Sequence, residues 1–152
     1  MSKLACGCPS ANVRTIEKKC TEETTSTESR PSELRQWPTQ LHLVPPNAPF
    51  LQDAHLLIAA DCVPFAYADF HRDFIKGRVL VNACPKLDDT SPYLEKLTAM
   101  VRENNILSIT VPIMEVPCCR GLGMMVHEAV KQSGKDVPVE VIVIGIGGER
   151  KG

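Results

Sequence analysis

The sequence lacks an apolar run long enough to cross a membrane. Its longer runs, such as "HLLIAADCVPFAYA", fall well short of the roughly 20 residues that a membrane-spanning helix needs. The first residues, "MSKLACGCPS", also lack the apolar core that precedes the cleavage site of a secretory signal. We therefore expect a cytoplasmic protein with no membrane span.

The chain has no excess of charge of either sign. It contains 17 Lys and Arg residues against 18 Asp and Glu residues, which gives a formal net charge of -1, and the two signs are mixed along the sequence. Nucleic acids and anionic membranes select proteins with a basic patch or stripe. We therefore expect neither of them as a partner.

Two common cofactor motifs are also absent, although cysteine is abundant. The seven cysteines include no C-x-x-C pair, the local pair typical of zinc sites, and "GIGGE" at 145–149 lacks the full G-x-G-x-x-G spacing of a dinucleotide-binding loop. Reducing conditions in the cytoplasm keep thiols free, so clustered cysteines there indicate metal or redox chemistry. An odd number of cysteines also fits a disulfide framework poorly.

The polar segment 21–33, "TEETTSTESRPSE", divides the sequence into two parts. Its charged and hydroxyl-bearing residues show no apolar period, which is typical of a solvated, flexible linker. We assign residues 1–35 to a cysteine-bearing head with this linker, and residues 36–152 to one globular domain. The last residues, "GERKG", are expected to form a frayed tail.

Within the globular domain, short aliphatic runs alternate with helical patterns. Near-continuous apolarity is what a strand needs when both of its faces are buried in a parallel sheet. We therefore predict an α/β, Rossmann-like, three-layer domain with a mostly parallel sheet of about five strands. The predicted strands are 40–44, 56–60, 78–82, 108–113 and 139–145.

Two helices and one irregular segment are predicted between these strands. Ser91 as N-cap and Pro92 at the first helical position start a helix that ends near Asn104. A second helix has apolar residues at helical spacing up to its stop at Gly134. The segment 64–77 is less regular, and a short or broken helix is expected there.

Four cysteines fall just past the carboxyl ends of predicted strands. Cys62 and Cys84 follow the second and third of these strands, and Cys118 and Cys119 follow the fourth. Such ends share one edge of a parallel sheet, where ligands bind. Helices that begin there direct free N–H groups and positive dipole ends toward the same edge, which favours thiolates. The four thiols are therefore expected to converge.

Thiolates at this edge would select a soft metal group. Iron–sulfur clusters and zinc suit a set of four thiolates best, and an open α/β edge favours the larger cluster. The head "CGCPS" offers Cys6 and Cys8, one of which completes the shell if the head folds over the edge. Either one or both of Cys118 and Cys119 bind, because neighbouring side chains diverge in extended backbone. Cys20 is taken as a spare thiol.

Longer segments of the chain resemble one known family. Four segments resemble the carboxyl-terminal part of the iron–sulfur cluster-binding proteins called 4Fe-4S ferredoxins in anaerobes, and the similarity extends over almost the whole chain. They are "CGCPS", "RPSELRQWPTQLHLVPPNAPFLQDAHLLIAADCVPFAYADFH", "ACPKLDD" and "IMEVPCCRG". The bacterial-type ferredoxin module that precedes this part in many members does not occur here, and Arg120 replaces a usual glycine. The resemblance implies a 4Fe-4S cluster. Its implied ligands are Cys8, Cys62, Cys84, Cys118 and Cys119.

Acidic residues and a histidine near the thiols receive structural interpretations. Asp61 is expected to cap the helix that follows it. His71 is expected to face solvent rather than to support a metal ligand. Asp88 and Asp89 are expected to form a solvated turn before the next helix.

The leading hypothesis is an electron-transfer protein that holds an iron–sulfur cluster at the carboxyl edge of the sheet. No nucleophile and base of hydrolase type are evident, so conventional catalysis is not expected. Two alternatives stay open: a thiol-redox enzyme in which Cys118 attacks and Cys119 or Cys84 resolves the disulfide, and a structural zinc module that lends its sheet edge to a partner. Because the sequence contains no ferredoxin module, a separate ferredoxin or flavoprotein is the expected redox partner. The oligomeric state is left open.

Overall fold

A computed structural model describes residues 14–16 and 28–151 of the chain. Within these residues five strands form one sheet, and their order across it is second, first, third, fourth, fifth. The first four strands are parallel, whereas the fifth is antiparallel to its neighbour. The predicted α/β class with a mostly parallel sheet is therefore confirmed. The strands are β1 (Ala54–Ala60), β2 (Val79–Ala83), β3 (Ile106–Met114), β4 (Val139–Ile144) and β5 (Arg150–Lys151).

The two central strands, β1 and β3, form because their sequences are almost uninterrupted apolar runs. Residues 56–60 of β1 are each at most 1% exposed, so both faces of this strand are buried. The last six residues of β3 are buried in the same way. A strand buried on both faces needs helices on each side of the sheet, which is the arrangement of parallel α/β proteins.

In this part of the chain the α-helices are α1 (Val63–Ala66), α2 (Tyr93–Glu103) and α3 (Arg120–Ser133). The helices α2 and α3 pack against each other on one face of the sheet. Right-handed crossovers then place the connection between β1 and β2 on the other face. As predicted, α3 ends at Gly134, whose φ of 74° is the left-handed conformation that glycine favours there. None of these helices is both long and apolar enough to cross a membrane.

The irregular segment predicted after β1 is a broken helix. The helix α1 is one turn long, and a π-helical turn, His71–Ile75, follows it. Gly77 then closes the segment with a φ of 75°. The helix α2 also begins slightly later than predicted. Pro92 occupies its N-cap position, and the Ser91 hydroxyl donates instead to the Asp89 carboxylate (2.6 Å).

The prediction of a first strand at residues 40–44 is wrong. Gln40 forms an isolated parallel bridge with Asn82, and the chain then turns, so that the Val44 amide donates to the Gln40 carbonyl (3.2 Å). Leu41 and Val44 are both fully buried. Residues three apart point to opposite faces of a strand but to the same side of a turn. The turn therefore buries both side chains, which a strand would not.

The prediction that residues 148–152 form a frayed tail is wrong for residues 148–151, the part that the structure describes. The last two described residues form β5, and Lys151 makes an ion pair with Glu115, the residue after β3. In the loop before β5, the Gly148 amide donates to the Gly145 carbonyl (2.9 Å), so "GIGGE" forms a hairpin connection. Gly148 has a φ of 89°, and a Cβ added to it would lie 2.6 Å from the Ala66 carbonyl oxygen. The hairpin therefore rests directly on the end of α1.

The described end of the predicted linker contacts the globular domain. Arg30 makes an ion pair with Asp69 (2.6 Å), and the Glu33 amide donates to Nδ1 of His71 (3.2 Å). Both partners lie in the connection between β1 and β2. Residues 30–33 therefore contact the domain, while the boundary between residues 35 and 36 stays a prediction.

Replacement of Gly148 tests the contact between the hairpin and α1. In Gly148→Ala we expect the free energy of unfolding to fall by about 1–3 kcal/mol, because alanine is strained at positive φ and its Cβ meets the Ala66 carbonyl. Gly121→Ala is the matched control, since α3 leaves open space for a Cβ there, and it should stabilise the protein by up to about 1 kcal/mol. Urea unfolding measures both variants. Equal free energies of unfolding in Gly148→Ala and Gly121→Ala would contradict the contact between the hairpin and α1.

Candidate functional site

Four thiols lie at the carboxyl ends of three neighbouring strands. Cys84 directly follows β2, Cys62 follows β1, and Cys118 and Cys119 follow β3. Because β1 lies between β2 and β3 in the sheet, Cys62 lies between the other thiols. The order of the strands reverses direction between β1 and β3, and such a switch point is where open α/β sheets bind ligands.

Electrostatic interactions indicate that these thiols are close to one another. The pKa of Cys62 is raised, first by burial and then by the charges of Cys84, Asp61 and Cys118. Like charges disfavour each other's ionised form, so a thiolate at one position increases the proton affinity of its neighbours. The structure thus places Cys62, Cys84 and Cys118 along one edge of the sheet, with Cys62 within electrostatic reach of the other two.

Cys118 and Cys119 lie in a 3-10 turn, Pro117–Cys119, and not in the extended backbone assumed from the sequence. The turn places the two residues one after the other at the start of α3, where Cys118 influences the pKa of Cys119. Cys118 is half-buried, whereas Cys119 is buried. Burial raises the pKa of the Cys119 thiol to about 11; a hydrogen bond with the Met114 backbone opposes this rise, and Cys118 adds to it. In the metal-free protein Cys119 is therefore a thiol at neutral pH.

Hydrogen bonds hold Cys84 in the loop after β2. The Leu87 amide donates to Sγ of Cys84 (3.4 Å), and the Cys84 amide donates to Oδ2 of Asp88 (3.0 Å). The Asp88 amide in turn donates to the Cys84 carbonyl (3.0 Å). N–H groups directed at a ligand sulfur adjust the properties of the metal group that the sulfur binds. The loop therefore supplies a thiol and one such donor together.

Asp88 is the centre of a network that the sequence analysis missed. Its Oδ2 also accepts hydrogen bonds from Nε2 of Gln40 (3.0 Å) and from the Tyr93 hydroxyl. Burial raises the pKa of Asp88, but the hydrogen bonds from Tyr93, Cys84 and Gln40 outweigh it, so that the net pKa is lowered. The predicted solvated turn is therefore wrong for Asp88, whereas Asp89 is exposed as expected. The sequence signal for the contact between Asp88 and the Cys84 amide is their separation by four residues in one short loop.

Three further expectations concern residues beside the thiols. Asp61 does not cap α1, because Cys62 occupies the N-cap position, and its carboxylate instead accepts a hydrogen bond from Nδ2 of Asn82 (2.8 Å). His71 is exposed, as expected. Arg120, which replaces a glycine usual in the family that the sequence resembles, has a helical φ of -60°. Its backbone therefore does not require glycine.

Cys6, Cys8 and Cys20 lie outside the described residues, so their expected roles stay predictions. Among the residues that are described, no three His, Cys, Asp or Glu side chains are grouped so that they could hold one metal ion. The ligands of an iron–sulfur cluster are bound to different iron atoms. They do not have to approach one another as closely as the ligands of a single ion.

The raised pKa of Cys119 predicts how the stability of the metal-free protein depends on pH. Folding favours the protonated thiol, so this contribution is fully present below pH 9.0 and is lost as the pH rises through about 11. We expect the urea midpoint to fall over this range, and to fall less in Cys119→Ala, which has no thiol to ionise. The comparison is made on metal-free protein at matched ionic strength. An equal fall in both proteins would contradict the burial of this thiol.

Comparison with known proteins gives a family for the chain. Residues 48–150 match the family described as Rossmann-like domain, and this range contains all four described thiols. An uncharacterized protein of Archaeoglobus fulgidus is 35% identical over 116 residues, which cover 76% of this chain and 81% of that protein. No solved structure is significantly similar to the chain. From the extent of the family match and the parallel sheet, the chain belongs to the Rossmann-like domain family.

Proposed function

We propose that the chain holds an iron–sulfur cluster of the 4Fe-4S type and transfers electrons through it, with Cys62, Cys84 and Cys118 as ligands. The observation that carries the proposal is the position of these three thiols, which follow the carboxyl ends of three neighbouring strands at the switch point of the sheet. Cysteines that act as small apolar residues are usually buried. That role suits Cys119 but not the exposed Cys62 or the half-buried Cys84 and Cys118.

The donor set fits an iron–sulfur cluster. Thiolates are soft ligands, which bind such clusters and zinc in preference to hard cations. Neighbouring thiolates repel one another, as the raised pKa of Cys62 indicates, and a cationic iron core relieves that repulsion. The cysteines also lack the local C-x-x-C pairs that are typical of zinc sites, which favours the cluster over zinc.

Cys8 supplies the fourth ligand in this proposal, and Cys119 lies beside the cluster. The pKa of Glu115, the residue after β3, is lowered mainly by its hydrogen bond with Lys151 and also by the charge of Arg14. Arg14 therefore lies near the carboxyl end of β3. The six residues from Cys8 to Arg14 span up to about 20 Å when extended. The proposal requires this segment to bring Cys8 to the sheet edge.

A bound cluster would supply one-electron transfer. The residues of this chain would determine how readily the site accepts that electron. The Leu87 amide disperses negative charge on the Cys84 sulfur, whereas the carboxylates of Asp61 and Asp88 add negative charge beside the thiol loops. Donated hydrogen bonds raise a reduction potential and nearby anionic charge lowers it. The potential therefore reflects a balance between these groups.

The proposal includes a reducing, cytoplasmic setting and a separate ferredoxin or flavoprotein as redox partner. Large apolar side chains are exposed close to the thiol loops. Phe65 in α1 is 91% exposed, Leu87 in the Cys84 loop 84%, and Met124 in α3 73%. Exposed apolar side chains around a redox site suit the small, transient interfaces of electron-transfer proteins. The thiol edge is therefore the surface that such a partner would approach.

Replacement of single cysteines tests this function. Anaerobically purified wild-type protein should contain iron and acid-labile sulfide in equal amounts. Each of Cys8→Ser, Cys62→Ser, Cys84→Ser and Cys118→Ser should reduce both contents by about half or more, because each removes one thiolate from the shell. Iron and sulfide analysis and the visible absorption spectrum measure the loss.

The control for this series is Cys20→Ser, which removes the predicted spare thiol and should keep the wild-type content. A colourless wild-type protein that contains neither iron nor sulfide would overturn the proposal. Stoichiometric zinc without iron after anaerobic expression would favour the structural zinc module instead.

Thiol-redox activity is the second candidate function, because Cys118 and Cys119 are adjacent in one 3-10 turn and neither forms a disulfide. A buried thiol with a pKa of about 11 is a poor leaving group in thiol–disulfide exchange, which makes this candidate weaker. If it is right, metal-free protein should reduce a disulfide substrate at the expense of a dithiol, and Cys118→Ser should abolish turnover. Absence of turnover in the wild type would exclude it.

A further inference from the structure

We propose that Asp88 is the positioning residue for Cys84: its carboxylate, held by Tyr93 and Gln40, fixes the loop that presents the Cys84 sulfur, and its charge lowers the reduction potential of the site. The part of this inference that concerns the potential rests on the proposed function. The part that concerns the position of the loop depends on the contacts of the protein alone.

The carboxylate of Asp88 joins three elements of the fold. Its Oδ2 accepts hydrogen bonds from the Cys84 amide (3.0 Å), from Nε2 of Gln40 (3.0 Å) and from the Tyr93 hydroxyl. The donors belong to the thiol loop, to the segment before β1 and to the start of α2. Hydrogen bonds to a charged acceptor are about twice as strong as neutral ones. The carboxylate cannot shift without weakening all three of them.

Two of these donors are fixed in the fold. Tyr93 is 0% exposed and its ring lies 4.5 Å from the ring of His42. Gln40 is joined to the sheet through its backbone bridge with Asn82, close to the end of β2. The carboxylate therefore has a rigid support on the side away from the loop. Its third hydrogen bond transmits that support to Cys84.

The loop itself is closed in both directions around Cys84. The Asp88 amide donates to the Cys84 carbonyl (3.0 Å), while the Cys84 amide donates to the Asp88 carboxylate (3.0 Å). This closure places the Leu87 amide where it donates to the Cys84 sulfur (3.4 Å). Loss of the carboxylate would leave the Cys84 amide without its acceptor. The Leu87 amide, which donates to the Cys84 sulfur, would then no longer be held in place.

Residue-resolved hydrogen exchange on the full-length, purified protein tests the positioning. In Asp88→Ala, exchange of the Cys84 and Leu87 amides should be about tenfold faster or more, the effect of losing one hydrogen bond to a charged acceptor. Asp88→Asn keeps an acceptor oxygen and should show a much smaller effect. Asp89→Asn is the matched control, because the exposed Asp89 carboxylate accepts from Ser91, and it should exchange like the wild type.

The reduction potential tests the effect of the charge. In the iron-loaded protein, Asp88→Asn should shift the midpoint potential to more positive values at unchanged iron content, because the variant removes a negative charge beside Cys84. Asp89→Asn should shift it less. A purely structural role for Asp88 would lower the iron content and leave the potential of the remaining loaded protein unchanged.

Unchanged exchange at Cys84 in Asp88→Ala, or an equal increase in Asp89→Asn, would overturn the positioning role. An unchanged potential in loaded Asp88→Asn would overturn the role of the charge. If the wild-type protein contains neither iron nor sulfide, the proposed function fails, and the exchange measurement alone then decides whether Asp88 positions the loop.

Discussion

The burial of β1 and β3 on both faces is the constraint on which the rest of the structure depends. A strand without a polar face needs helices on each side of the sheet, and the crossovers that supply them make the strands parallel. Parallel order brings the carboxyl ends of β2, β1 and β3 to one edge. The thiols that follow these ends therefore meet there, although they are far apart in the sequence and form no local motif.

The same arrangement places several groups that carry negative charge when ionised near one another. Burial, and then the charges of Cys84, Asp61 and Cys118, raise the pKa of Cys62, and burial raises that of Cys119. Without a cation the site therefore favours protonated thiols. A soft, positively charged guest removes this conflict and releases protons as it binds. This relief of the mutual repulsion is what the proposed cluster would contribute at the sheet edge.

The sequence contains enough information to predict the strands with apolar runs and the thiols that follow them. It does not predict β5, because Arg150 and Lys151 have no apolar period and are held by pairing with β4 and by an ion pair. The role of Asp88 is also beyond the sequence, since its partners Gln40 and Tyr93 belong to other elements and meet it only in the fold. Periodicity reports burial of a single element, whereas these contacts join several.

The four thiols that the structure describes differ in exposure, from the exposed Cys62 through the half-buried Cys84 and Cys118 to the buried Cys119. Dissolved oxygen and peroxide reach accessible thiols first, and the initial sulfenic acid can be reversed by another thiol. Among the four described thiols, oxidation in air would therefore reach Cys62 before the buried Cys119. Oxidation of Cys62 to a sulfenic acid would leave the protein folded, so that reduction of one sulfur restores it without refolding.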